Sequence, residues 1–241
     1  MTGAPRGRAV VLSGTGRFAD QWHPFAETSA RLAAIAQAAG FAAEVASPDE
    51  RLADLSDAQL VVVNIGAPSA ADPGRDVAGR RGLLDYLKRG GPALILHVSA
   101  TSLPAVPEWE SVIGGIWVRG TTMHPDYGLA RVHVGPGRHP IVAGLGDFEL
   151  LDERYSYLRV ARDVVPLATH EHDGIEHPLL WARTWPAPAP DAAAAPRAAA
   201  AGTSGARIVY DALGHDGRSY DSPEHVQILR RAIRWLAGEL S

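Results

Sequence analysis

The chain has no cysteine, and that absence removes several chemistries together. Thiol nucleophiles, Cys-ligated zinc, iron–sulfur clusters and disulfides are all excluded. Cations of one kind are also scarce, for Lys88 is the only lysine and the 23 basic residues form no stripe. Nucleic-acid binding needs clustered positive charge against phosphates, so no nucleic-acid partner is expected. Long apolar runs are missing too: nothing approaches the roughly 20 residues of a membrane span. The N-terminus, MTGAPRGRAVVLSG, shows no apolar core behind a basic flank. The expectation is a cytoplasmic protein without a membrane partner.

What is present is a chain of 241 residues with a formal charge of −4 and ten histidines. A chain of this length buries about 70–75% of its unfolded surface as one domain, and no metal or disulfide staple is needed for it to fold. We therefore expect a single domain over residues 1–241.

The first half alternates strand and helix signals. Ala9–Leu12 is a short apolar run ending in Ser13-Gly14-Thr15-Gly16, read as a buried strand and a tight loop. Pro24 suits the first turn of a helix carrying Phe25, Leu32 and Ile35 and closing at Gly40. Strands are expected at 41–46, 60–64 and 93–96, with a helix from about Asp76 to Arg89 between the last two. Near-continuous apolar strands spaced by helices imply βαβ units and a parallel sheet covered on both faces. The fold class is thus α/β, a three-layer and mostly parallel sheet of the flavodoxin-like kind.

Further along, strands are expected at 131–134, 164–168, 179–182 and 208–210. Residues 186–205, PAPAPDAAAAPRAAAAGTSG, are a Pro/Ala-rich stretch without apolar period, read as a flexible loop inserted into a β-hairpin. His170, Glu171, His172 and Asp173 read as a solvated turn. The last helix opens with Ser222 as cap, Pro223 and Glu224. Val226, Leu229, Ile233, Leu236 and Leu240 then form an apolar stripe at steps of three and four.

In a parallel α/β sheet, ligands bind beyond the carboxyl ends of the strands. That rule selects Gly14, Thr15, Trp22 and His23 after the first strand, Asn64 after the third, and His97 after Leu94-Ile95-Leu96. Gly14-Thr15-Gly16 is only half a dinucleotide fingerprint and reads better as a tight turn. His97 stands where many α/β enzymes carry a nucleophile, and its imidazole suits a base, an acid or a ligand as well as a structural hydrogen bond. His124, Asp152-Glu153 with Tyr155, and His215-Asp216 after the 208–210 strand complete the polar candidates. His215 and Asp216 fit a catalytic pair, two metal ligands or a loop clasp equally well.

These segments together resemble the ThuA-like, or trehalose-utilisation, family. The similarity rests on Val10–Gly16, Gly91–His97, Trp109–Gly115, Arg138–Ile141, Asp152–Tyr155, Pro178–Trp181, Arg207–Tyr210, Leu213–Asp216 and the closing helix through Trp235. The resemblance implies a class I glutamine amidotransferase-like fold and a role around oxidised sugars, with a small-molecule carbohydrate as partner. Amidotransfer itself is excluded, since that reaction needs the missing cysteine.

The reading is an enzyme acting on a keto-sugar or related carbohydrate by acid/base proton transfer, of isomerase or lyase type. His97 and Glu153 are the acid–base candidates, with His215 and Asp216 to orient or polarise. Gly14, Thr15, Trp22, His23, Asn64, His124 and Tyr155 are the substrate-binding candidates, and Trp22 or Trp109 could stack on a sugar face. No cofactor is called for. A divalent metal on some of His23, His97, His124 and His215 is the variant with a cation. Two alternatives stand beside this reading: a non-catalytic carbohydrate-binding or scaffolding domain, and a metal-dependent hydrolase. No heptad seam suggests a coiled-coil dimer, which leaves room for a homo-oligomer through a flatter face.

Overall fold

A computed structural model describes residues 4–135, 139–186 and 205–240. Strand β1 (Arg8–Ser13) leads through a 3₁₀ turn (Gly16–Phe18) to helix α1 (Phe25–Ala38). Then come β2 (Ala42–Ala46), α2 (Pro48–Arg51), β3 (Ala58–Asn64), α3 (Pro73–Lys88) and β4 (Ala93–Leu96). Helix α3 starts three residues before the expected Asp76, because the Asp72 side chain accepts from Arg75 N–H and Pro73 fits the first turn. A second 3₁₀ turn (His97–Thr101), α4 (Trp109–Ile113) and a short β5 (Gly115–Ile116) follow.

The second half is largely antiparallel: β6 (Gly128–Val134), β7 (Phe148–Asp152), β8 (Arg159–Val160), β9 (Val165–His172) and β10 (Ile175–Trp185). The chain closes with β11 (Ala206–Asp211), a 3₁₀ turn (Gly217–Asp221) and α5 (Pro223–Leu236).

Nine strands form one sheet in the order β2-β1-β3-β4-β11-β10-β9-β6-β7, and β5 and β8 pair separately. The five strands from β2 to β11 run parallel, and β10, β9, β6 and β7 continue antiparallel. Strands β3 and β4 are buried throughout their apolar runs, as strands covered on both faces must be. Helices α1 and α5 pack on each other and on the parallel strands, while α2 packs on α3 and α4 on β11.

Two expectations change. The polar run from His170 is the end of a strand, not a solvated turn. Strand β9 runs to His172, and Asp173-Gly174, with φ of +53° and +71°, makes a two-residue hairpin turn into β10. Both residues need the left-handed region, and Asp-Gly supplies it. Strand β7 was not anticipated: its buried positions Phe148, Leu150 and Asp152 alternate with exposed Glu149 and Leu151. The expected hairpin around the Pro/Ala stretch exists, with Trp185 paired to Ala206, while residues 187–204 lie outside the described residues. Arg138, one of the residues carrying the family resemblance, lies outside them as well.

Candidate functional site

The sheet's carboxyl edge brings four side chains from distant parts of the chain into one cluster. His23 lies on the loop after β1, His97 directly after β4, Glu153 directly after β7, and His215 on the loop after β11. One donor atom from each lies within 4.8 Å of the other three. Glu153 Oε2 is 3.4 Å from His97 Nε2 and 3.3 Å from His215 Nδ1. The imidazole of His23 meets those of His97 and His215 edge-on, at centroid distances of 5.1 and 4.8 Å.

The surrounding residues fix which atom each ring presents. His97 Nδ1 donates to the Ala212 carbonyl at 2.6 Å, so its Nε2 lone pair faces the cluster. His97 has φ of +44°, a strained value for a residue with a side chain, and Tyr210 Oη holds its carbonyl at 2.9 Å. Asp20 accepts from the backbone N–H of Trp22 and His23 and takes the His23 Nδ1 hydrogen at 2.8 Å. His23 Nε2 is therefore buried, deprotonated, turned inward and without a hydrogen-bond partner. His215 Nδ1 is likewise buried and makes no aligned hydrogen bond, despite its closeness to Glu153. Asp152, fully buried, ties the two loops together by accepting from the N–H groups of Gly214 and His215 and of Glu153 itself.

The electrostatics agree with this arrangement. Burial, and next the neighbouring His97, pull the His23 imidazole down to about 4, so it is neutral near pH 7. Burial alone would push Glu153 up, but His215 and His97 beside it outweigh burial and hold the carboxyl well below its usual range. His215 moves the other way: burial lowers it, and Glu153 more than compensates.

Three imidazoles that turn a ring nitrogen toward one ionised carboxylate are a donor set of the kind a divalent cation takes, with the proton that Glu153 favours on His215 to be displaced. Four donors at about 2.0–2.2 Å from an ion stand roughly 3.3–3.6 Å apart in a tetrahedron, and the two Glu153 contacts have that spacing. Asp20 on His23 and the Ala212 carbonyl on His97 are the outer hydrogen bonds that orient metal-binding histidines. The cation variant of the sequence reading had His124 where the structure puts Glu153.

The cluster opens into a cleft of about 460 Å³ walled by Trp22, Val98, Thr101, Trp117 and Tyr155. Trp22 is 66% exposed at its mouth. Tyr155 stacks on His97 and donates its hydroxyl hydrogen to His97 Nε2 at 3.0 Å. Burial raises its phenol far above the ordinary range, so the hydroxyl keeps its proton. His124 is half-exposed on the far side of Glu153, with Nε2 3.6 Å from Oε1 and Nδ1 bonded to the Pro125 carbonyl. Thr101 and Trp117 also line a second chamber of about 480 Å³ with Ala67, Ile116, Arg119 and Gly120.

The other candidates sit elsewhere. Asn64 is 2% exposed and donates to Thr28 and Ser29, holding α1 to β3 instead of facing the cleft. Gly14 packs against the Phe25 ring, and its N–H is spent on the Asn64 carbonyl. Thr15 is exposed at the start of the first 3₁₀ turn and does not line the cleft. Asp216 caps the 217–221 turn through Arg218 N–H and binds Tyr127 Oη and the Arg218 side chain, which is the clasp arrangement. Trp109 is buried, its indole N–H on the Ser99 carbonyl, so it is no sugar platform. Asp20 and Trp117 were not anticipated, and Asp152, named beside Glu153, proves to hold the loops and not to face the cleft. Only Asp20, three residues before His23, left a local trace in the sequence.

The sequence pattern of ThuA, described as trehalose utilisation, matches residues 8–236. This chain belongs to the ThuA family. No curated protein matches it in sequence. Among solved structures, a ThuA-like protein from Parabacteroides merdae is 19% identical, with a TM-score of 0.74 over 98% of this chain and 92% of that one. A ThuA-like protein from Bacteroides uniformis is 16% identical, with a TM-score of 0.70 over 97% and 92%. A glutamine amidotransferase from Thermotoga maritima is 10% identical, with a TM-score of 0.55 over 96% and 98%. At these identities the likeness concerns the fold, and it places the ThuA chain among class I glutamine amidotransferase-like folds.

Proposed function

We propose that this ThuA-family protein is an enzyme of sugar utilisation that moves a proton beside the carbonyl of a keto-sugar or related carbohydrate. It works with a divalent cation held by His23, His97, His215 and Glu153. The observation that carries the reading is His23 Nε2: buried, unpartnered, turned into the cluster and held there through Asp20. Side chains scattered in separate loop clasps would favour a scaffolding domain, and a single donor set within 4.8 Å favours chemistry.

Proton transfer next to a carbonyl needs a base for the carbon acid and a charge for the oxygen that becomes negative. A bound divalent cation supplies that charge. Glu153 is ionised and flanked by imidazoles, which suits a ligand and not an acid. His124 moves the proton: its Nδ1 is committed to Pro125, leaving Nε2 facing the cleft as the acceptor. Tyr155 keeps its hydroxyl proton and stacks on the His97 ring; once a cation takes the His97 Nε2 lone pair that otherwise accepts this hydroxyl, the hydroxyl is free to turn toward the cleft. The indoles of Trp22 and Trp117 offer apolar faces to a sugar ring, and the chamber beyond Trp117 has room for the rest of the substrate.

The test is elemental analysis of the purified protein, followed by incubation with glucosides and their keto derivatives in deuterated water. Mass spectrometry reads the products with and without EDTA. A bound divalent ion, deuterium gained at the carbon beside the carbonyl, loss of exchange with EDTA and in Glu153→Gln, and recovery on adding zinc or manganese are expected. Exchange that survives both EDTA and Glu153→Gln would remove the cation and Glu153 from the reaction. Absence of exchange in the metal-loaded protein across the panel would remove the reaction itself.

A further inference from the structure

A second cavity lies behind the cleft and contains none of its chemistry. It measures about 480 Å³ and sits between α2, the first half of α3, residues 68–71 and residues 103–106. Its floor is apolar: Phe18, Leu52, Leu83, Leu103 and Val106 are all buried. Packed interiors hold few voids larger than a water molecule, and small-molecule sites begin near about 300 Å³, so this space exceeds a packing defect.

The cavity is built into the fold. Helix α3 touches the 52–53 backbone at Gly82, where an added Cβ would lie 2.2 Å from the Leu52 carbonyl oxygen. Toward its N-terminus the helix stands off, and Arg17 props the gap. Its guanidinium binds Asp49 at 2.8 Å, Asp76 at 2.7 Å and the Ala70 carbonyl at 3.1 Å, and lies 4.6 Å above the Phe18 ring centroid. Arg80 is paired to Glu108, and Arg75 reaches Asp49 and Asp72. Every arginine on the wall is thus matched by a carboxylate, and no unpaired charge is left to recognise an ion. Water fares no better over the apolar floor, which offers it few partners.

We propose that this cavity is a binding site for a neutral, apolar small molecule, separate from the carbohydrate cleft. The two share a partition. Val98 and Thr101 line the cleft, and Leu103 and Val106 of the same connection line the cavity. Ala67 faces the chamber beyond Trp117, and its neighbour Pro68 faces the cavity. Leu103 has φ of +57°, a strained backbone at the shared wall. Ser99, between His97 and Leu103, binds both the N–H and the carbonyl of Ile65 through its hydroxyl, which locks the two halves of the partition together.

The uncharged fluorophore N-phenyl-1-naphthylamine tests the assignment on the full chain. One probe should bind per chain with saturable enhancement of emission. Ala78→Phe, which fills the cavity from the half-buried face of α3, should weaken binding at least about tenfold. Ala105→Trp at the exposed rim is the second blocking variant should the first fail to fold. His23→Ala, which alters only the cleft, should bind the probe as the unaltered protein does. Absence of saturable binding, or equal affinity in a folded blocking variant, would overturn the site. Loss of binding in His23→Ala would place the probe in the cleft and overturn it equally.

Discussion

Asp20 never meets the cleft, yet it decides what His23 presents to it. By taking the Nδ1 hydrogen it fixes the tautomer and the ring orientation together. Asp20→Ala should therefore weaken divalent-cation affinity by about 10–100-fold, the usual effect of losing such an outer partner. Titration calorimetry with zinc checks this, and affinity unchanged in a folded variant would show that His23 is not a ligand. Several of these residues were legible at their own scale. His97 stands where Leu94-Ile95-Leu96 stops, and His215 follows β11, so the rule for strand ends found both. What could not be read was which candidates share one cluster and what orients each ring. His133 binds Asp147 and His139 packs on Trp235, both away from the cluster. Trp117 reaches the site only through tertiary approach, from a half of the molecule whose pairing is non-local.

At the scale of elements, the parallel half was legible because its strands are uninterrupted apolar runs between helices. The antiparallel half was legible in part: the strands expected at 131–134, 164–168 and 179–182 fall on β6, β9 and β10, while their full extents and β7 were missed. Strand β7 carries a leucine on its outer face, which blurs its alternation, and β9 and β10 bury His170 and His177 where apolar residues would have marked the strands. The Asp173-Gly174 pair was the available hairpin signal. Helix α3 depends on a glycine that the sequence alone does not explain. Gly82→Ala, harmless in an open helix, here drives a methyl group into the 52–53 backbone. A loss of about 1–3 kcal/mol is expected from such overpacking, measurable as a lower urea midpoint. A midpoint equal to or above that of the unaltered protein would mean that α3 does not press on residue 52.

The whole molecule should show its histidines in the pH dependence of stability. Burial lowers His170 to about 4, so the unfolded chain binds a proton between pH 6.5 and 4 that the folded chain refuses. Stability should fall as pH drops through that window. His225 shifts in the opposite sense. Burial lowers it, but Asp211, 2.9 Å away, more than compensates and raises it. Its contribution is full below pH 6.5 and is lost as pH rises through its folded value. Thermal melts across pH 4–8 should show both limbs, and His170→Gln should flatten the acid limb alone. An acid limb of unchanged slope in that variant would assign the loss to other groups.

Strand β11 reaches the sheet last in chain order, yet it lies between β4 and β10. Until it arrives, the chain holds two half-sheets with unpaired margins and only three of the four clustered side chains. The proposed cation site is thus completed only at that junction: in refolding, metal uptake should trail the early gain of secondary structure and coincide with the joining of the two halves.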